Sequence, residues 1–390
     1  MSRRFKMKNG RETLIYRALT WDHPRGFNAL DAAAKTLQDG FALHWDKQPL
    51  SGFEEHSITD LSARYDLIVL DHPHIGEAIK QDCLLPIDAV IDARTLANIR
   101  HRTVGMCFDS YTYAGRQWAL PIDAATQVMA SRQDLLHGTV SDTWEDVVNL
   151  SCKYPVALSL AGPHAILTLF SIAVSLGAEL GVEQRLFPPR LGEAALEILD
   201  AVYRRTKTTS HRLNPIDILE TMATSDDLAF CPLIYGYVNY AATSDSARSA
   251  ISFSNAPRIT GGSIRGSILG GTGIGLSKQC EVSRELLSHL LWLLSGETQT
   301  TFIPAHDGQP SARMAWNDSK VNNSWGNFYR STVETIEQAY VRPRHSGYID
   351  FQKIAAQIVR TGLETGASST STVQALEQAF GKSFQNEKGR

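Results

Sequence analysis

The sequence predicts an α/β fold of two lobes ending in a helical C-terminal tail. Its 390 residues exceed what one core ordinarily serves and suit two. Apolar runs of strand length alternate with helical runs from residue 13 to about residue 80, the pattern of a parallel sheet with crossover helices. After residue 320 the pattern is helical. Residues 12–122 with 268–312 are expected to form the first lobe, and 123–267 with 313–390 the second.

Residues 13–19 (TLIYRAL) suit a buried strand, TWDHPRG a turn, and 27–38, ending at Gln38, a helix. A second strand at 41–45, a helix near 53–63 and the apolar run 65–70 (YDLIVL) continue the alternation. A helix then starts at Ile75. Residues 113–120 read as a hairpin around Ala114-Gly115-Arg116, leading through Pro121-Ile122-Asp123 into the second lobe and a strand at 126–131. Ser141-Asp142-Thr143 supplies a cap for a helix at 144–150, with acidic residues in its first turn. A strand at 155–160, a long helix after Gly162-Pro163, a helix at 191–204 and short strands at 228–231 and 251–254 follow, the last two flanking a helix at 235–242. Residues 267–276 are expected to return as paired strands, followed by helices at 281–294 and 297–303. The tail reads as helices at 323–340, 348–363 and 372–380, the last after a loop at 366–371.

Hydrophobic residues make up 43% of the chain and charged residues 20%, a soluble globular balance. A net charge of −3 gives no reason to expect nucleic acid or an anionic membrane as partner. No window holds the roughly 18 apolar residues of a spanning helix. The five cysteines lie far apart without metal-type spacing and read as reduced, buried thiols. Arg3, Arg4, Lys6 and Lys8 would suit the basic region of a leader, but Arg17 and Thr20 interrupt the stretch that follows, which reads as the first strand instead. The expectation is cytoplasmic on the chain as written, and periplasmic if a leader is missing.

Three loops at predicted strand ends concentrate the polar and aromatic residues: Trp21-Asp22-His23-Pro24-Arg25, Asp71-His72-Pro73-His74, and Pro121-Ile122-Asp123. On a parallel sheet such loops share one rim, where ligands bind. Asp and His exchange hydrogen bonds with hydroxyls, Arg25 can clamp a carboxylate through two bonds, and Trp21 offers a flat apolar face. Asp22 and Asp71 also fit the role of helix caps. A metal reading of Asp22, His23, Asp71, His72 and His74 lacks diagnostic spacing, so no metal is expected. The run Gly270-Gly271-Thr272-Gly273-Ile274-Gly275 lacks the register of a nucleotide loop, so no cofactor is expected; its glycines fit close backbone approach to a ligand, or a sharp turn.

Cys231 is the one candidate nucleophile, with His72, His164 and His211 as conceivable bases, but a buried structural thiol is preferred. Ser131 and Ser159 have no GxSxG context, so no catalytic residue is assigned. Tyr235, Tyr237 and Tyr240 cannot all share one helix face, which leaves one or two to face a ligand cleft. Trp292 and Leu293 fall on an apolar helix and are expected in the core.

The stretches ALPIDAATQVMASRQDLL (119–136), TWEDVV (143–148), GGTGIGLSK (270–278), HDGQPSARMAW (306–316) and RPRHSGYIDFQ (342–352), in this order and spacing, resemble the extracellular solute-binding proteins of carbohydrate ABC importers from about Thr13 to Phe380. The resemblance implies a periplasmic-binding-protein-like fold with a hinge and capture of a small sugar or sugar acid in a cleft between the lobes. It implies ligand contacts near Asp123, from Tyr235 and Tyr237, from the backbone of Gly270 and Gly271, and from Arg313. ABC permease subunits would then be the partners, and a monomer is expected. The alternative is a cytosolic enzyme or ligand sensor on the same scaffold.

Overall fold

The computed structural model describes residues 3–6, 12–37, 41–137, 142–206, 212–242 and 247–384. Of the residues named above, Lys8, Gln38, Ser141 and His211 lie outside this set. The chain divides into two compact units. Unit 1 comprises residues 1–124, 271–321 and 344–346, and unit 2 residues 125–270, 322–343 and 347–390.

Unit 1 is built on a sheet whose parallel part is local in sequence. The strand Glu12–Trp21 pairs in parallel with Phe41–Gln48, Leu14 opposite Phe41, and with Leu67–Leu70, Ala18 opposite Leu67. The strand Thr272–Ser277 returns from far along the chain and pairs antiparallel with Leu67–Leu70, Leu84–Leu85 and Leu120–Asp123. Leu67–Leu70 is buried at every position, as befits a strand covered on both faces. The helix expected at 27–38 begins earlier, at Pro24, and ends at Lys35. Pro24 suits its first turn, where a missing N–H costs nothing.

The helix near 53–63 proves to be two short ones, Leu50–Glu55 and Ile58–Ser62. Thr112–Tyr113 and Arg116–Gln117 form the expected hairpin, with Ala114 and Gly115 at φ of +50° and +74°. The helix Ala93–Arg102, unforeseen, is capped by Asp92, whose Oδ1 accepts from Thr95 N at 3.0 Å.

Unit 2 centres on the strand Gln127–Ser131, antiparallel to Phe230–Tyr235 on one side and Ser252–Ser254 on the other. Register shifts between Cys231 and Ile234, where Pro232 has no N–H to give the ladder. The helix His164–Ser175 is buried all round, and Pro189–Tyr203, Tyr348–Thr365 and Ser369–Ser383 pack with it into a core that includes Phe170, Phe187, Phe351 and Phe380. Thr143 caps Trp144–Ser151 in a full capping box: its Oγ1 accepts from Asp146 N at 3.1 Å, and Asp146 Oδ2 accepts from Thr143 N at 3.2 Å. Asp142 adds only its backbone N–H to the cap, while its carboxylate pairs with Arg258 and Arg265.

Several expectations are corrected. Residues 155–160 contribute a single bridge, Val156 to Phe230, and no strand. The helix at 235–242 is absent: Tyr235 completes a strand opposite Gln127, and only one 3-10 turn, Val238–Tyr240, follows. Residues 267–276 yield one strand, because Ile268 and Leu269 bridge instead to Tyr340 and Thr126 within unit 2. By contact, residues 123–124, 313–321 and 344–346 group with unit 1 and 268–270 with unit 2, a division that differs from the lobe bounds expected above. In unit 1, Ala312 bridges Thr103 and Trp316 Nε1 donates to Pro310 O at 2.8 Å. The tail helix at 323–340 is broken at Gly326 and Asn327, both at positive φ, into Ser319–Ser324 and Phe328–Gln338.

Trp292 is 37% exposed, not core. The buried face of Arg284–Leu293 is Leu286, His289, Leu290 and Leu293, the i, i+3, i+4, i+7 stripe, and Trp292 falls beside it. His289 occupies that stripe between Phe41 and Trp292, with ring centroids 5.9 and 5.7 Å away, and burial lowers its pKa to about 4. A free histidine titrates near 6.5. Between about pH 6.5 and 4 the unfolded chain therefore binds a proton that the native chain refuses, so stability falls with pH by up to about 1.4 kcal/mol per unit. His289→Phe should flatten that part of the slope in urea unfolding between about pH 7 and 4.5. An unchanged slope would show that the buried ring does not set it.

Candidate functional site

In unit 1 the first and third strand-end loops meet through one interaction. Arg25 donates to Asp123 through Nε to Oδ2 at 2.7 Å and Nη2 to Oδ1 at 2.5 Å, with side chains only 4% and 6% exposed. This is the two-bond fork that a guanidinium and a carboxylate form best. Burial pushes the Asp123 carboxyl up, the Arg25 guanidinium opposes this, and the charge of Asp71 adds to the burial. The Arg25 fork, expected to clamp a ligand carboxylate, is engaged by the protein's own carboxylate.

Around this pair the loop residues take structural positions. His23 caps the helix Pro24–Lys35, its Nδ1 accepting from Arg25 N at 3.1 Å. Trp21 is buried, 5.4 Å from the Phe53 ring centroid, and Arg25 lies 5.9 Å from the Trp21 centroid. A Cβ at Gly26 would run into the Trp21 indole, so only glycine permits this approach. Trp21, Arg25 and Asp123 line a niche of about 20 Å³ with Thr272 and Gln309. That is room for about one water molecule and none for a sugar ring. Asp22 is exposed and pairs with Lys47 at 2.7 Å.

At the second loop, Asp71 Oδ1 accepts from His72 N at 2.8 Å and lies 3.0 Å from His72 Nδ1. His72 and His74 are buried, His72 edge-on to Tyr111 at 6.3 Å, while Asp71 stays partly exposed. Among the described residues no group of three His, Cys, Asp or Glu could hold a metal ion. Gly271 sits at φ +85° where unit 1 resumes, and Arg313 is exposed, its Nη2 donating to Thr103 O at 3.3 Å.

In unit 2, Tyr235 is partly exposed at the end of its strand, beside His164 at 5.8 Å and against Gly270. Tyr237 is buried, and Tyr240 Oη donates to Glu220 Oε2 at 3.2 Å. Cys231 is fully buried and burial pushes its thiol up to about 12, so it cannot supply a thiolate nucleophile near neutral pH. Thr272, Gln309 and His164 join these groupings without having been singled out as contacts. Thr272 and Gln309 fall within the glycine-rich and Gly-Gln-Pro stretches, a signal that was present in the sequence.

The two units together make a two-lobed, periplasmic-binding-protein-like fold, the class of the solute-binding proteins. Maltose-bound MalE3 of T. maritima superposes with a TM-score of 0.79 at 16% identity, covering 94% of this chain and 98% of its own. A solute-binding protein of an Agrobacterium radiobacter K84 ABC transporter, in complex with ribitol, gives 0.78 at 18% identity, with 94% and 98% covered. One from Thermotoga lettingae TMO bound to α-D-tagatose gives 0.79 at 14% identity, with 95% and 98% covered. The family model for bacterial extracellular solute-binding proteins matches residues 12–324, and the chain belongs to that family. No curated protein matches it in sequence. No helix among the described residues is long and apolar enough to cross a membrane.

Two outcomes follow from this geometry. Arg25→Ala or Asp123→Ala should each cost about 3–5 kcal/mol in urea unfolding by stranding a buried charge, and the double variant should cost clearly less than their sum. An aromatic disulfide reagent should label native protein once, at exposed Cys152, because Cys83, Cys107, Cys231 and Cys280 are buried. Rapid labelling of Cys231 would contradict its burial.

Proposed function

We propose that the chain is the solute-binding component of an ABC-type importer, working outside the cytoplasm and capturing a neutral sugar or polyol. Membership of the extracellular solute-binding family supports the binding role. The observation that carries the neutral class is the Arg25–Asp123 pair, which leaves the best carboxylate clamp of the strand-end loops occupied. Fold relatives bound to maltose, ribitol and α-D-tagatose support the same class. Within unit 1 we assign solute contact to Asp71 and Arg313, and within unit 2 to Tyr235. Asp71 can accept from hydroxyl groups and Arg313 can donate to them, while the tyrosine ring covers the apolar face of a sugar. Trp21, His23, Arg25 and Asp123 support the unit 1 contacts from within that unit, and Tyr237 lies buried in unit 2. Binding shifts an equilibrium among conformations the chain already has, and the partner is a membrane permease that reads the bound one.

The test is a thermal-shift panel of maltose, ribitol, α-D-tagatose and, as acidic counter-probe, D-gluconate. Solute at about 100 times its dissociation constant adds roughly 2.7 kcal/mol, a clear rise in Tm. A neutral compound should give that rise and be recovered intact, with gluconate silent. A shift with gluconate alone would overturn the neutral class, and a compound that is consumed would overturn the binding role.

A further inference from the structure

We infer that Gly270 and His164 are positioning residues that hold the Tyr235 ring in its solute-binding orientation, an inference that rests on the reading of Tyr235 as a solute contact. The backbone of Tyr235 is fixed first: it closes the strand Phe230–Tyr235 opposite Gln127. The ring then lies against the bare Cα of Gly270. A Cβ there would stand 2.5 Å from Cε1, 3.0 Å from Cδ1 and 3.2 Å from Cζ of that ring. Cε1 would be struck and Cδ1 and Cζ crowded from the same side, so a methyl group would displace the ring.

The backbone of residue 270 has no room to retreat instead. Gly270 N donates to Ala125 O at 2.8 Å, and the preceding Leu269 N donates to Tyr340 O at 2.9 Å and bridges Thr126. Nor is glycine needed here for its conformational range, since Gly270 is not among the glycines at positive φ, whereas its neighbour Gly271 is. The missing side chain is what the position requires.

His164 bounds the ring from another direction. Its imidazole stands edge-on to Tyr235, 5.8 Å between centroids and 66° between planes. His164 is itself buried and opens the fully buried helix His164–Ser175, so it cannot move aside cheaply. Strand register, glycine and imidazole together leave the partly exposed tyrosine one ring position. Pre-orienting a stacking ring removes the ordering cost from solute binding. Gly270, expected from sequence to offer its backbone to the ligand, acts here through the tyrosine.

The experiment is a double-mutant cycle read by calorimetric titration of the full chain with maltose, ribitol and α-D-tagatose. Tyr235→Ala should weaken the binding compound by about tenfold or more, and Gly270→Ala by a similar factor. The double variant should bind no worse than Tyr235→Ala alone, because without the ring there is nothing left to displace. His164→Ala should weaken binding and His164→Phe restore most of it, which keeps the question decidable should Gly270→Ala fail to fold. Multiplying effects in the double variant, or lowered Tm with unchanged affinity in the Gly270 and His164 variants, would overturn the positioning role alone. Wild-type affinity in Tyr235→Ala would remove Tyr235 from the site and the inference with it. Failure of wild-type protein to bind any of the three compounds would remove the functional reading as well.

Discussion

The buried pair of Arg25 and Asp123 constrains unit 1 more than any other contact. Moving two charges out of water costs several kcal/mol per ion and is offset only where geometry is close to ideal. The fork of two short bonds meets that condition, and it fixes everything it touches. Arg25 stands at the start of a helix whose first turn is capped by His23 and packed by Gly26 against Trp21. Asp123 ends a strand, with its backbone opposite Thr272 of the returning strand and bridged to Pro310. One ion pair therefore ties together a helix start, a strand end and a turn from three distant parts of the sequence.

Legibility in the sequence follows the range of the interaction. Thr143 with Asp146, and the parallel strands from Glu12 to Leu70, rest on neighbours a few positions away or on simple apolar runs, and both could be read directly. Arg25 and Asp123 are 98 positions apart, so the sequence showed an arginine beside a tryptophan without the carboxylate that occupies it. A histidine that caps a helix and a histidine that meets a ligand look alike before the fold is known: the cap expected at Asp22 is supplied by His23. Tyr235 through Ala242, expected as a helix, holds the weak helix formers Gly236, Val238 and Asn239, and pairing with Gln127 keeps Tyr235 extended. The helix Pro215–Thr224 was missed although Asn214 and Asp217 form a capping box, a local signal that was present in the sequence.

Unit 2 treats its interior cations in the same way. Arg132 is 3% exposed and divides its donors among Asp134, Asp226 and the carbonyls of Met222 and Ser225. Arg265, also buried, pairs with Asp142 and Glu334. The chain thus uses arginine inside each unit as a bracket between segments, where the flat five-donor fork can satisfy carboxylates and carbonyls together.

This habit bears on selectivity. A site that discriminates by charge needs a buried cation or anion left without a partner, and such a group is costly to maintain in the unliganded protein. A site for neutral polyols escapes that cost, since hydroxyls can be met by a carboxylate such as Asp71 that water also reaches, and by the flat face of a tyrosine. Its discrimination must then come from shape and from the exact seating of few groups, because each hydroxyl contributes little on its own. If Tyr235 meets the solute as proposed, a ring held by strand register, by a glycine without room for a methyl group and by an edge-on histidine would supply that kind of fixed shape. On the proposed reading, interior charges brace each unit, and recognition of the solute falls to an uncharged ring.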